Sequence, residues 1–538
     1  MEAIIPVVEK DDEDMLEAPM MMYRGESWPR TPRLPVAPSM SALAHEADAH
    51  LLDKDACVHE ASKILSLAWP IVCSSFISHA INLVGIAFVG RLGEFELSTA
   101  LLAISFFNIT GLALVVGFAG VLETMCGQAY GASNYRAVGL ALQRAVILSL
   151  VLSTIITTVW QFAEPGLILL GQKPDIAAGA ATYLRLASPG LFCAAMYQLL
   201  MRYLLTQGQT KQPTVGAVIA GIAAPIYNYL LIFRFGLGLH GAALATDAVQ
   251  GTQLLVLGLL TWRFNRRRTG TERQPWYGWS REAFSGLGPY IRIGGPSIAM
   301  VAMEWSAFEV CTVESGWLKD PEVALGVMGL LFNITTLLYM LPLGLSAANS
   351  ARVSNTLGAG LPRAAQRAAV VAIAIGFVMQ LTTALTLYFA RIYVIGIFTN
   401  VATVIDKAAK TARIVSIAVL ADGLNCTQNG MLRGSGRQAL GASMSGTAYW
   451  VIALPIGYHM TFNMDMGVEG LWWGLVIGNY LLTSAGMTVL FTTDWEKQVR
   501  RARELHGGME SRTSLAIEQA REGITGLTEG LLDGDDQA

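Results

Sequence analysis

The sequence predicts an all-α polytopic membrane protein, with twelve transmembrane helices in two six-helix bundles related by a pseudo-two-fold axis along the membrane normal. Three observations predict it. Of 538 residues, 53% are apolar and only 14% charged, where a soluble domain carries about 25% charged. Long apolar runs recur between residues 63 and 493, each near the roughly 20 residues that cross hydrocarbon. The same small residues also return in the second half at a nearly constant offset of 227, the mark of a duplicated unit.

Twelve apolar runs follow in order: 63–90, 98–124, 138–162, 181–205, 213–234, 239–263, 287–316, 323–349, 365–390, 410–431, 439–462 and 468–492. The first carries Pro70, His79 and Asn82, and the second ends on Glu123 and Gly131-Ala132. The fourth holds Arg185 and Arg202, and the sixth Asp247. The stretch Arg263–Arg281 is the longest internal loop and separates the halves. Gly117, Gly131, Arg136 and Ala137 match Gly344, Gly358, Arg363 and Ala364, and Pro70 matches Pro296. Halves with an even number of spans run parallel, an arrangement used by transporters that hold substrate between the halves.

Charge sets orientation and domain limits. Residues 1–62 hold 13 acids against 5 bases, and residues 494–538 hold 10 against 6. With both tails in the cytoplasm, 17 Lys and Arg of the body fall on the inner face and 9 on the outer, as the positive-inside rule requires. The expected divisions are an acidic, disordered tail over 1–62, a bundle over 63–263 and a basic linker over 264–286. A second bundle over 287–493 and a cytoplasmic tail over 494–538 complete the chain. Part of that tail, 494–522, reads either as a basic amphipathic helix on the inner leaflet or as a solvated extension of the last span.

Several classes drop out. Six cysteines stand singly and form no CxxC or metal-ligand cluster. No GxxxxGK[ST] run is present, so energy must come from an ion gradient and not from ATP. No nucleophile–base or metal constellation falls in the spans, which argues against an enzyme. No cofactor and no nucleic-acid partner is expected.

The chemistry is expected at charged side chains inside spans, where each costs about 2.5–3.5 kcal/mol by insertion scales. Glu304 and Glu309 lie mid-span in the seventh run, and Asp422 lies mid-span in the tenth near Asn425 and Gln428. Five residues is about 500° of helix, which aims Glu304 and Glu309 about 140° apart. A carboxylate in a low-dielectric cavity can exchange a proton for an organic cation. Asn82, Trp305, Asn333, Tyr339, Asn425 and Gln428 are candidate cavity-lining residues, and aromatics such as Phe308 and Trp472 offer cation–π surfaces. The plainer alternative is that Arg185 or Arg202 pairs with these acids. Glu123 reads as a packing or capping residue, and Glu314 as reaching the outer interface.

Five stretches resemble the eukaryotic multidrug and toxic compound extrusion (MATE) family: Leu122–Gly131, Glu304–Glu309, Ala351–Gly360, Gly430–Gln438 and Gly467–Trp472. The resemblance covers roughly residues 60–492. It implies two six-helix bundles forming a V, rocker-type exchange driven by protons or, in some members, sodium, and Glu304, Glu309 and Asp422 as the coupling and cation-binding acids. Ser306 stands where the family usually has a second Trp, Asn333 stands where animal members have Glu, and the first span lacks a carboxylate. The expected function is a monomeric antiporter exporting organic cations or amphiphilic metabolites in exchange for protons, in the plasma membrane or a vacuolar membrane. An organic-anion or citrate exporter, or a sodium-coupled antiporter, are the alternatives.

Overall fold

A computed structural model describes residues 51–505, apart from Leu52 and Asn400. They belong to one compact unit, Glu46–Ala538, while the other unit, Met1–His45, lies outside the described residues. Helix α1 is Lys54–Val89, α2 Glu94–Gly131 and α3 Tyr135–Trp160. Helix α4 comes in two pieces, Pro174–Leu186 and Ser188–Thr206, followed by α5 Lys211–Arg234 and α6 Gly238–Arg268. The second half is α7 Gly288–Ser315, α8 Pro321–Gly358, α9 Pro362–Phe398, α10 Ala402–Gly434, α11 Gln438–Asn463 and α12 Val468–Thr492. No strand occurs among the described residues.

Among the described residues, nine of these helices are long and apolar enough to cross a membrane by composition alone. The other three are α4, α7 and α10. They carry the charges an apolar ruler penalises: Arg185 and Arg202, Glu304 and Glu309, and Asp422 and Arg433. Charged side chains, the candidate site acids among them, are thus concentrated in the spans that are hardest to recognise.

The first helix corrects the expected boundary. It begins at Lys54, so residues 54–62 are helical and not part of a disordered tail. Asp53 starts it, its carboxylate accepting the Ala56 N–H at 3.2 Å. Buried Glu60 then anchors the added turns to Arg352. The remainder of the tail expectation falls outside the described residues.

The duplication is written into the backbone. Ser133 and Gly360 both turn with positive φ, at 59° and 79°. So do Gly208 and Gly436, at 73° and 72°, and Gly238 and Gly467, at 54° and 59°. Each pair sits at the repeat offset, one member per half. Separate cores fill the bundles: one gathers Phe107, Trp160 and Leu191, another Leu331, Tyr449 and Trp472.

Between the bundles runs a seam on the side of the α6–α7 linker. Across it Gly131 lies so close to the Asn355 carbonyl, and Gly358 to that of Gln128, that an added Cβ would stand 2.0 Å from the oxygen in either case. Gln128 and Asn355 are themselves repeat mates, as are Gly131 and Gly358. The same exchange holds for hydrogen bonds: Gln128 Nε2 donates to Gly434 O at 3.2 Å, and Asn355 Nδ2 to Thr206 O at 3.1 Å. Gly127 meets its own mate Ser354, which places the pseudo-two-fold axis between them. Residue i touching j while j′ touches i′ is the signature of an isologous interface. Farther from the linker, Asn82 and Leu83 of α1 and Asn333 of α8 are exposed.

The segment after α12 starts as an amphipathic helix, as one of the two expectations had it, and its residues after 505 lie outside the described residues. A helix from 495 to 505, the last described residue, packs Trp495, Val499 and Ala502 onto Val353, Leu357 and Ala368 of the second bundle. Its bases Lys497, Arg500, Arg501 and Arg503 are exposed. Leu505 reaches the first-bundle cluster beside Tyr130 and Trp276. Trp495→Ala should lower the stability of the purified protein by about 3–5 kcal/mol, the cost of removing a buried Trp, read as a drop in melting temperature.

Candidate functional site

The site lies within the second bundle, where α7, α8 and α10 face one another. One face of α7 is buried there, through Glu304, Ala307, Cys311 and Glu314. The face repeats at three- and four-residue spacing, as a helix requires. Glu304 is 6% exposed. Its Oε1 accepts the Tyr339 hydroxyl at 2.9 Å, and its Oε2 accepts Asn429 Nδ2 at 3.4 Å. Asp422, on α10, lies within electrostatic reach of Glu304. One carboxylate oxygen of Asp422 is buried with no hydrogen-bond partner among the described residues.

No lysine or arginine forms an ion pair with Glu304, Glu309 or Asp422 among the described residues. The arginine alternative resolves otherwise. Arg202 pairs with Glu123 at 3.2 Å, and Arg185 approaches Glu164 at 3.9 Å. Arg433 stands one turn beyond Asn429, but its guanidinium donates to Glu123 at 2.8 Å and to Ser346 Oγ at 2.9 Å. Glu304 and Asp422 are therefore not neutralised by an ion pair among the described residues.

Beside Glu304, one turn along α7, Phe308 meets Phe332, Tyr449 and Trp472 at centroid distances of 5.9, 6.4 and 6.5 Å. Carboxylates backed by ring faces suit a poorly hydrated organic cation. Tyr339→Phe removes one hydrogen bond to a charged group, worth about 1.5 kcal/mol, and should slow initial uptake about tenfold. Uptake measured at fixed gradient checks this.

The structure sorts the expected residues. Glu304, Tyr339 and Asp422 come together. Glu309 is half-buried on another face of α7, as the five-residue spacing requires. Asn425 and Gln428 face α12 instead: Asn425 Nδ2 donates to Asn479 O at 3.1 Å, and Gln428 Nε2 to Thr483 O at 3.1 Å. They bind helices together and do not line the cluster, because their spacing from Asp422 rotates them toward α12. Asn333 is exposed and donates to Gly329 of its own helix. Asn82 is exposed on α1, and neither it nor the half-buried Trp305 hydrogen-bonds to the cluster among the described residues. Glu314 is 7% exposed and lies on the buried face of α7, one residue from its end. Asp247 accepts the Gly190 N–H at 2.9 Å, capping the second piece of α4 just past its break. Asn429 was missed by sequence reasoning. It lies seven residues from Asp422, two turns along one face of α10, and that periodicity was the available signal.

The MatE family profile matches residues 70–230 and again 296–459, one match per half. The chain belongs to the MATE family. It is 31% identical over 453 residues to Protein DETOXIFICATION 1 of Arabidopsis thaliana, covering 84% of this chain and 94% of that one. It is 32% identical to Multidrug and toxin extrusion protein 1 of Xenopus tropicalis, covering 82% and 76%. The crystal structure of the eukaryotic MATE transporter AtDTX14 superposes with a TM-score of 0.79 at 30% identity, over 84% of this chain and 99% of that one. A Vibrio cholerae MATE transporter, VcmN, superposes at 0.73 with 19% identity, covering 82% and 100%, and that likeness speaks to the fold alone. This MATE chain is a multi-pass membrane transporter of the multidrug and toxin extrusion type and not an enzyme.

Proposed function

We propose that this transporter exports organic cations or amphiphilic metabolites in exchange for protons, with Glu304 and Asp422 as the shared binding site and Glu309 assisting. One observation carries the reading: buried Glu304 and half-buried Asp422, within electrostatic reach of each other, form no ion pair with a lysine or arginine among the described residues. Two carboxylates in a low-dielectric site repel, and either a proton or a cation relieves them. Proton and substrate then compete for one site, which is the minimal requirement of antiport.

With both termini cytoplasmic, the seam closes the cytoplasmic side and access to the site is from outside. A proton arriving from outside discharges the site and releases the cation. Reopening inward lets the proton leave and a new cation bind. A monomer in the plasma membrane or a vacuolar membrane suffices for this cycle.

The test uses proteoliposomes carrying an internal pH dye. Adding tetraethylammonium outside should alkalinise the interior as protons leave against cation entry. An interior that stays at constant pH overturns proton coupling. Repeating the assay with sodium inside at equal pH separates the sodium-coupled alternative, and citrate in place of tetraethylammonium separates the anion exporter.

A further inference from the structure

The seam contains two kinds of contact, and only one follows the repeat. The glycine approaches and the amide hydrogen bonds come in symmetric pairs, as a duplicated unit folding against itself would produce. The ion pairs do not. Glu123 has Ser350 as its repeat mate, Arg433 has Leu205 and Arg352 has Met125. Charge was therefore placed once, on one side of each contact, over a seam that the small residues already close.

Its placement is specific. Glu123 of the first bundle is 2% exposed and lies between two guanidinium groups. Its Oε2 is 2.8 Å from Arg433 Nε of the second bundle, and its Oε1 is 3.2 Å from Arg202 Nε of its own bundle. Around Arg433 the backbone is held as well: Thr124 Oγ1 donates to its carbonyl at 2.5 Å, and Gln438 Nε2 donates to Thr124 Oγ1 at 2.8 Å. A second crossing pair, Arg352 Nε and Nη2 on the two oxygens of Glu60, is bidentate at 2.7 Å each. Buried pairs contribute little net stability because desolvation offsets attraction, but separating one without replacement is costly.

Arg202 changes what separation costs. When the bundles part, Glu123 loses Arg433 and retains Arg202 within its own bundle, so no bare carboxylate is left buried. Arg433 is the member that travels. It rides on α10, one turn from Asn429 and three from Asp422, on the face that meets Glu304. The seam residue Arg433, the site residue Asp422 and Asn429, which donates to Glu304 of α7, are therefore borne by one helix.

We propose that Glu123 and Arg433, with Glu60 and Arg352, are positioning residues of the transport cycle. They latch the linker side shut in this state, and Arg202 is the reserve partner that lets the latch open. The proposal rests on alternating access by the two bundles and not on the identity of the substrate.

Spin labels at Ala132→Cys and Ala359→Cys, exposed repeat mates on the two sides of the seam, report its opening in a background free of native cysteines. The unaltered latch should give a short-distance population. Glu123→Gln and Arg433→Ala should each raise the long-distance fraction about tenfold, with tetraethylammonium affinity changed by less than about threefold in Glu123→Gln. Arg433→Lys should recover part of the short population. Glu60→Arg and Arg352→Glu should each open the seam, and the double swap should reclose it, which ties closure to the pairing and not to either side chain alone. An unchanged distance distribution in Glu123→Gln and Arg433→Ala overturns the latch. So does a double swap as open as its single parents. If the unaltered protein fails to bind tetraethylammonium, the cation reading falls, and the distances still decide the latch.

Discussion

Glu304→Gln is expected to reduce gradient-driven cation transport about a hundredfold. The carboxylate is buried, accepts hydrogen bonds from Tyr339 and Asn429, and forms no ion pair among the described residues. A glutamine keeps the shape and can still accept from Tyr339, so the fold should survive. The loss is of charge alone. Removing one member of the buried charge pair that Glu304 would make with the bound cation costs about 3–5 kcal/mol, and about 3 kcal/mol corresponds to a hundredfold in affinity. Initial uptake rates, compared at equal amounts of folded protein, check the size of the effect. Glu309→Gln should have a smaller effect, because that side chain lies half-buried on another face of α7.

Gly358→Leu is expected to be as severe for a different reason. A Cβ at 358 would stand 2.0 Å from the Gln128 carbonyl oxygen, against backbone that cannot rotate aside. The side chain wedges the bundles apart on the linker side. Overpacking costs about 1–3 kcal/mol in ordinary cores, and here the cost falls on one conformational state. The variant should bind substrate, lose turnover, and show a long-distance population between labels at positions 132 and 359. Because the seam is pseudo-symmetric, Gly131→Leu should reproduce the phenotype through the Asn355 carbonyl. A Gly358→Leu protein that transports normally would show that the seam does not close during the cycle.

Much of the architecture was legible in the sequence. Apolar length marked the spans, and repeated glycines marked the halves, because a glycine that admits a carbonyl to within van der Waals contact cannot be varied freely. The acid cluster was legible for a related reason: a charge in a span has to be explained. Three things were hidden. The start of α1 at Lys54 was obscured because residues 54–62 are polar enough to resemble tail, and only their packing on the second bundle reveals them. The roles of Asn425 and Gln428 were misjudged because nearness in sequence to Asp422 does not fix rotation about the helix. Glu123 was read as a packing residue because its partner Arg433 lies 310 residues away. Long-range pairing of charges is the information a single sequence carries least well.

The most direct test of the central claim is uptake of labelled tetraethylammonium into proteoliposomes under an imposed pH gradient, acid inside. The wild type is compared with Glu304→Gln and Asp422→Asn. The account predicts uptake that follows the gradient, collapses with a protonophore and is lost in both variants. Variants that transport as well as the wild type would contradict the assignment of the site, and a wild type indifferent to the gradient would contradict the mechanism.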